Sequence, residues 1–196
     1  AHEHRESRFD RAPQFARRHL DLHVENLDAA VGTVLDALDA SGCANDTIVV
    51  FTSDNGGLDS VSNNRPLRGG KRSLWEGGIH VPLLVRWPGV VAAGAQCELP
   101  AITQDVHRAL CSAAGAAVDR DAAEDSFDLL PAWRGAAPAA RPPLFWHFPQ
   151  HETNEVGPRG AMRDGDWKLI EDFASDSVML FDLAHDPNET TDVAAW

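Results

Sequence analysis

From about Pro13 to Asp39 the apolar positions Phe15, Leu20, Val24, Leu27, Val31, Leu35 and Leu38 recur three to five residues apart, which predicts one face of an amphipathic helix. Pro13 suits its first turn and Ser41-Gly42 its stop. The pattern then changes. Thr47-Ile48-Val49-Val50-Phe51-Thr52 is an unbroken β-branched and aromatic run, the form expected of a strand buried on both faces of a parallel sheet. A helix followed by such a strand reads as an α/β unit.

Residues 53–78 are rich in Gly, Asn, Ser and Arg with little periodicity, and predict a long irregular excursion at the carboxyl end of that strand. A second apolar run from Val81 to Trp87 is stopped by Pro88-Gly89, and Thr103 to Ala114 has helical spacing. Beyond the Ala/Asp-rich stretch 113–124 the character shifts. Short segments at Leu144 to Phe148, Asp166 to Asp172 and Val178 to Leu183 are separated by Gly, Pro and acidic turns, which predicts a small antiparallel sheet of hairpins. The expected organisation is an α/β domain over residues 1–118 and a small subdomain over 119–196, with residues 135–140 as a surface loop.

Composition adds limits. The 196 residues are 43% hydrophobic, enough for one sizeable core, and no apolar stretch approaches the roughly 18 residues of a membrane span. The formal charge of −13 argues against nucleic-acid binding, and any anionic ligand must be held by local cations. Cys43, Cys97 and Cys111 have neither metal-type spacing nor an even number for pairing, and are expected to be buried or half-buried small residues. The chain opens on Ala1, so compartment is not read from this end.

The chemistry gathers after the first strand. Asp54-Asn55 follow it directly, where ligands collect in α/β sheets, and a carboxylate beside an amide carbonyl suits a hard cation such as Ca²⁺ or Mg²⁺. Taken alone, an Asx-Gly pair more often makes a turn than a metal site. Further on, Pro66-Leu67-Arg68-Gly69-Gly70-Lys71-Arg72-Ser73-Leu74-Trp75-Glu76-Gly77-Gly78-Ile79-His80-Val81-Pro82 offers Gly69-Gly70 for close backbone approach to a ligand, Lys71 as a point charge for an anion, and Gly77-Gly78 for a sharp turn before the next strand.

These segments resemble the sulfatase family, whose second signature region has a strand ending in Ser-Asp-Asn-Gly. A Gly-Lys-Gly-x-x-Tyr-Glu-Gly-Gly-x-Arg-Val-Pro-like segment follows, leading into a strand that ends Trp-Pro-Gly. Phe51-Thr52-Ser53-Asp54-Asn55-Gly56 and Val85-Arg86-Trp87-Pro88-Gly89 fit it. So do Leu144-Phe145-Trp146-His147, Met162-Arg163-Asp164-Gly165-Asp166-Trp167-Lys168-Leu169-Ile170, and Leu180-Phe181-Asp182-Leu183 with Asp186-Pro187 and Glu189. Arg72 stands where the family usually has Gly, and His80 where it has Arg.

The resemblance implies the C-terminal part of an alkaline-phosphatase-like mixed sheet with flanking helices, followed by the small antiparallel subdomain. It implies Asp54 and Asn55 as ligands of one Ca²⁺, Lys71 as the holder of a sulfate oxygen, and His2, in His2-Glu3-His4-Arg5-Glu6, as an active-site histidine. His23, His107, His147, His151 and His185 are read as structural. The family's nucleophile is a formylglycine made from a Cys/Ser-x-Pro-x-Arg motif, and this sequence contains no such motif. The expectation is therefore a sulfatase part that is inactive alone, completed by an N-terminal half, acting on a sulfated small molecule or carbohydrate in the periplasm or outside the cell. Two alternatives stand beside it. One is a phosphodiesterase or phosphotransferase of the same superfamily, which usually shows Asp-His-Gly where this chain has Asp54-Asn55-Gly56; the other is a stand-alone sulfate-binding or pseudoenzyme module.

Overall fold

The long amphipathic segment forms helix α1, Arg8–Ala40, in the computed structural model, which describes residues 8–119, 124–137, 139–149 and 157–194. It starts earlier than the sequence predicts, so Pro13 lies beyond its first residues, at a position where it supplies no backbone N–H. Ser41 ends it, its N–H and Oγ donating to the carbonyls of Ala37 and Leu38.

The described residues fall into two compact units. One joins the chain up to Ser41 with Thr52–Leu83 and the segment from Leu144 on; the other joins Gly42–Phe51 with Leu84–Pro143.

In the second unit, strand β1, Val49–Thr52, pairs with β2, Leu83–Arg86, and with no other strand among the described residues. The run expected to be buried on both faces is only half-buried at Val49 and Val50 and exposed at Phe51 and Thr52, because a two-stranded sheet has no layer to cover it. Helix α3, Thr103–Ala114, matches its predicted span. Its end is set by Gly115 at φ +67°, and its start by Asp105, whose carboxylate accepts from the Ile102 N–H at 2.8 Å. Asp105 is fully buried and also accepts from Arg141 at 2.7 Å and from the Phe127 N–H at 2.6 Å, so its charge is paired and hydrogen-bonded. Cys43 and Cys97 are exposed and only Cys111 is half-buried, which corrects the expectation that all three are covered; the first two lie outside helix and sheet.

In the first unit the C-terminal segments form a four-stranded antiparallel sheet in chain order. The strands are β3, Leu144–Phe148; β4, Arg159–Asp164; β5, Trp167–Asp172; and β6, Ser177–Asp182. β4 is a strand that hydrophobic runs alone did not mark. The β4–β5 turn is the two-residue loop Gly165-Asp166, with Gly165 at φ +56°, and the β5–β6 turn is closed by Asp172, which accepts from the N–H groups of Ala174 and Ser175. One face of this sheet buries Ala161, Ile170 and Phe181 against Leu74 and Trp75, with Ile79, Trp146, Phe148 and Met179 packed around them. Trp75 meets Phe181 edge to face at 5.6 Å and carries the Arg68 guanidinium 3.7 Å above its ring. The glycine-rich segment is thus part of the core of this unit, through its second half.

Candidate functional site

Asp54 and Asn55 occupy bends immediately after β1, Asp54 exposed and Asn55 half-buried. The loop that follows is fixed by Asn64. Its side-chain amide accepts from the Gly57 N–H at 2.9 Å and donates to the Gly57 carbonyl at 2.8 Å and to Asp59 at 2.9 Å. The same Gly57 carbonyl accepts from the Lys71 N–H at 2.9 Å, and the Gly56 N–H donates to the Gly78 carbonyl at 2.9 Å. Two segments that chemistry singled out separately are therefore stitched together backbone to backbone, with Asp54-Asn55 on one and the exposed Lys71 on the other. His2 lies outside the described residues.

The glycines make this possible in a way the sequence reading did not anticipate. A Cβ on Gly77 would collide with the carbonyls of Arg68 and Gly69, and one on Gly56 would collide with the Gly77 carbonyl. They allow backbone to meet backbone within the protein, where close approach to a ligand and a sharp turn were expected. Gly77 and Gly78 lie in the short helix α2, Glu76–Ile79.

Below this loop lies a buried charge cluster. Lys168 on β5 is fully buried, with its Nζ 2.8 Å from Glu76 Oε1 and 2.7 Å from Glu189 Oε1. The first contact is a hydrogen bond; the second is an ion pair without hydrogen-bond alignment. Glu189 Oε2 accepts from the Glu76 N–H at 2.7 Å, His80 Nδ1 lies 3.0 Å from Glu76 Oε2, and an Arg163 nitrogen lies 3.6 Å from the same oxygen. Burial acts to raise the Glu76 pKa, but the bond to His80, the charge and hydrogen bond of Lys168 and the charge of Arg163 outweigh it and hold it lowered to about 2. For Glu189 burial wins, and its pKa is raised despite Lys168. Sequence reading gave these residues no role, although Glu76, Lys168 and Glu189 all sit in the motifs that carry the family resemblance.

The remaining histidines vary in setting. His185 pairs with Asp182 at 2.8 Å, His147 lies against the Phe173 ring at 5.5 Å, His107 is 3.7 Å from the Cys111 sulfur, and His151 lies outside the described residues. An open cavity of about 490 Å³ in the second unit is lined, among the described residues, by Thr103, Gln104, His107 and Asp125. Among the described residues no group of three or more His, Cys, Asp or Glu side chains is placed to hold a metal ion. Asp54 and Asn55 offer two hard oxygen donors, which fit part of a Ca²⁺ shell of six to eight. Among the same residues, no helix is long and apolar enough to cross a membrane.

Comparison with known proteins places the chain in a family. Steryl-sulfatase of Rattus norvegicus is 33% identical over 217 residues, which cover 90% of this chain and 37% of the rat protein. Among solved structures, a Bacteroides thetaiotaomicron protein of glycosaminoglycan metabolism superposes with a TM-score of 0.66 at 26% identity, over 86% of this chain and 39% of its own. A phosphonate monoester hydrolase from Silicibacter pomeroyi superposes with a TM-score of 0.67 at 26% identity, over 85% of this chain and 34% of its own. The chain thus spans a little over a third of the length of each of these three proteins. The Sulfatase family model matches residues 4–137, most of the chain, and the chain belongs to the sulfatase family.

Proposed function

We propose that this chain carries part of the active site of a sulfate-ester hydrolase, with Asp54 and Asn55 as two oxygen ligands of one Ca²⁺ ion and Lys71 as the cation that holds a sulfate oxygen. The observation that carries the reading is the pair of backbone bonds, Lys71 N–H to Gly57 and Gly56 N–H to Gly78, which ties the two segments into one loop cluster. A bound Ca²⁺ would offset negative charge on the sulfate group. Lys71 adds a second positive charge from a flexible stem, and its exposure leaves the ammonium free to meet an anion. The formylglycine and the remaining carboxylates would come from residues outside this chain, and His2 would assist the leaving alcohol. The parent protein would act on a sulfated small molecule or carbohydrate, in the periplasm or outside the cell.

The chain alone is then expected to show no turnover of an aryl sulfate with added Ca²⁺, and to bind inorganic sulfate weakly through Lys71. Turnover that survives purification and vanishes in Lys71→Ala would overturn this reading, because it would require a nucleophile the reading does not contain. The likeness to a phosphonate monoester hydrolase supports a second reading, a phosphoester or phosphonate enzyme. A competition titration separates the two: inorganic phosphate that displaces sulfate far more strongly than its own charge explains favours the second.

A further inference from the structure

Lys168 and Glu189 have no part in the roles above, yet both are fully buried, and a buried charge is costly unless its partners repay it. Their partners lie on one short stretch of chain. Arg68 donates to the Glu189 carbonyl at 2.8 Å, and the Glu76 N–H donates to Glu189 Oε2 at 2.7 Å. Glu76 also receives the Lys168 ammonium at 2.8 Å. The segment from Arg68 to Glu76 is therefore fastened at both ends by the same C-terminal residue, and Lys71 lies between the fastenings.

The fastening residue is itself held in shape. Glu189 has φ +54°, a left-handed conformation that is unfavourable for Glu, and the turn around it is closed by Asp186, which accepts from the N–H and hydroxyl of Thr190 and from the Thr191 N–H. On the sheet, Lys168 and Arg163 are directly paired across β4 and β5, which sets both cations beside Glu76. Buried ion pairs often stabilise no more than apolar packing of the same volume, whereas directional charged bonds favour one placement of the segment.

We propose that Lys168 and Glu189 are positioning residues for Lys71, Glu189 clamping both ends of the Arg68 to Glu76 segment and Lys168 its Glu76 end, so that the Lys71 ammonium is presented to a sulfate oxygen. The proposal rests on the sulfate role of Lys71 argued above.

The test uses the full 196-residue chain with the variants Glu189→Ala, Glu189→Gln and Lys71→Ala, and inorganic sulfate as the probe. Amide exchange is followed on peptides from residues 66–78 and from β4 to β6, and sulfate affinity by NMR titration. Loss of the charged hydrogen bond from the Glu76 N–H and of the ion pair with Lys168 is expected to speed exchange in 66–78 by about tenfold or more in Glu189→Ala, to leave β4 and β5 at their parent rates, and to weaken sulfate binding by a similar factor. Glu189→Gln keeps an acceptor for the Glu76 N–H but not the charge facing Lys168, so it should give an intermediate change in both readouts, and it serves where the Ala variant fails to fold. Unchanged exchange and sulfate binding in Glu189→Gln would overturn the proposal, as would an equal loss of protection in sheet and loop, the mark of a merely structural residue. If Lys71→Ala binds sulfate normally while the Glu189 variants still free the loop, the clamp stands and the sulfate role of Lys71 falls.

Discussion

Arg72, beside the candidate sulfate-binding Lys71, has φ +76°, in the left-handed region where a residue with a Cβ costs about 1 kcal/mol or more. The sulfatase-like segment has Gly at this place, and the backbone angle gives the physical reason. Arg72→Gly is expected to stabilise the chain by about 1 kcal/mol, a rise of about 2–4 °C in a thermal melt. A lower melting temperature would mean that the contacts of the Arg72 side chain outweigh the strain. Some of the residue-level picture could be read in the sequence, as with Asp54, Asn55 and Lys71 drawn into one loop cluster. Lys168 could not. In Trp167-Lys168-Leu169-Ile170 simple alternation would send Trp167 and Leu169 inward, yet Trp167 is 50% exposed and Lys168 is 0% exposed. Ile170 puts the Lys168 face in the core, and what lets a lysine share that face is Glu76, 92 positions away along the chain, a pairing that no local pattern records.

At the scale of elements, local signals served best where they are self-contained. Thr103–Ala114 carries its own start in Asp105 and its own stop in Gly115, and the β4–β5 hairpin carries Gly165. Arg159-Gly160-Ala161-Met162-Arg163-Asp164 has no apolar run to mark it as a strand; it becomes β4 by pairing on both sides with β3 and β5. The contact between this sheet and the short helix α2 runs through ionised Glu76, which makes it sensitive to acid. The Glu76 carboxyl titrates at about 2 in the folded chain against 4.5 as its ordinary value. Its contribution, on the order of 3 kcal/mol, is complete above pH 4.5 and lost as pH falls towards 2. Glu189, with its raised pKa, acts in the opposite sense, favouring the folded chain as it becomes protonated. Melts between pH 5 and 2 should therefore show falling stability in the parent chain and a shallower fall in Glu76→Gln. An identical slope in the two proteins would place the acid-sensitive group elsewhere.

For the whole molecule, the apolar surface is distributed unevenly. On α1, Leu22, Val24, Leu27 and Val34 are each more than half exposed, and on the β1–β2 pair Phe51 and Leu84 are exposed as well. The sequence identified α1 and β1 as core elements because their patterns are those of buried ones; within this chain the layers that would bury them are not formed by the described residues. By contrast the β3–β6 sheet closes its own core on Leu74 and Trp75. The expected result for the isolated chain is a split behaviour, with slow amide exchange in β4 to β6 and fast exchange in α1, β1 and β2. Exposed apolar faces and an unpaired strand edge should also drive association at micromolar concentration, visible as a concentration-dependent elution volume. Calcium should do little to rescue it. Two adjacent oxygen donors leave water to fill most of the six to eight positions the ion prefers, so binding is weak and the stabilisation it can lend is small. Calorimetric titration with Ca²⁺ beside a thermal melt decides the matter: a monomer with one sharp transition and sub-micromolar Ca²⁺ affinity would show a self-sufficient metal-binding domain, and the reading of this chain as part of a larger active site would have to be given up.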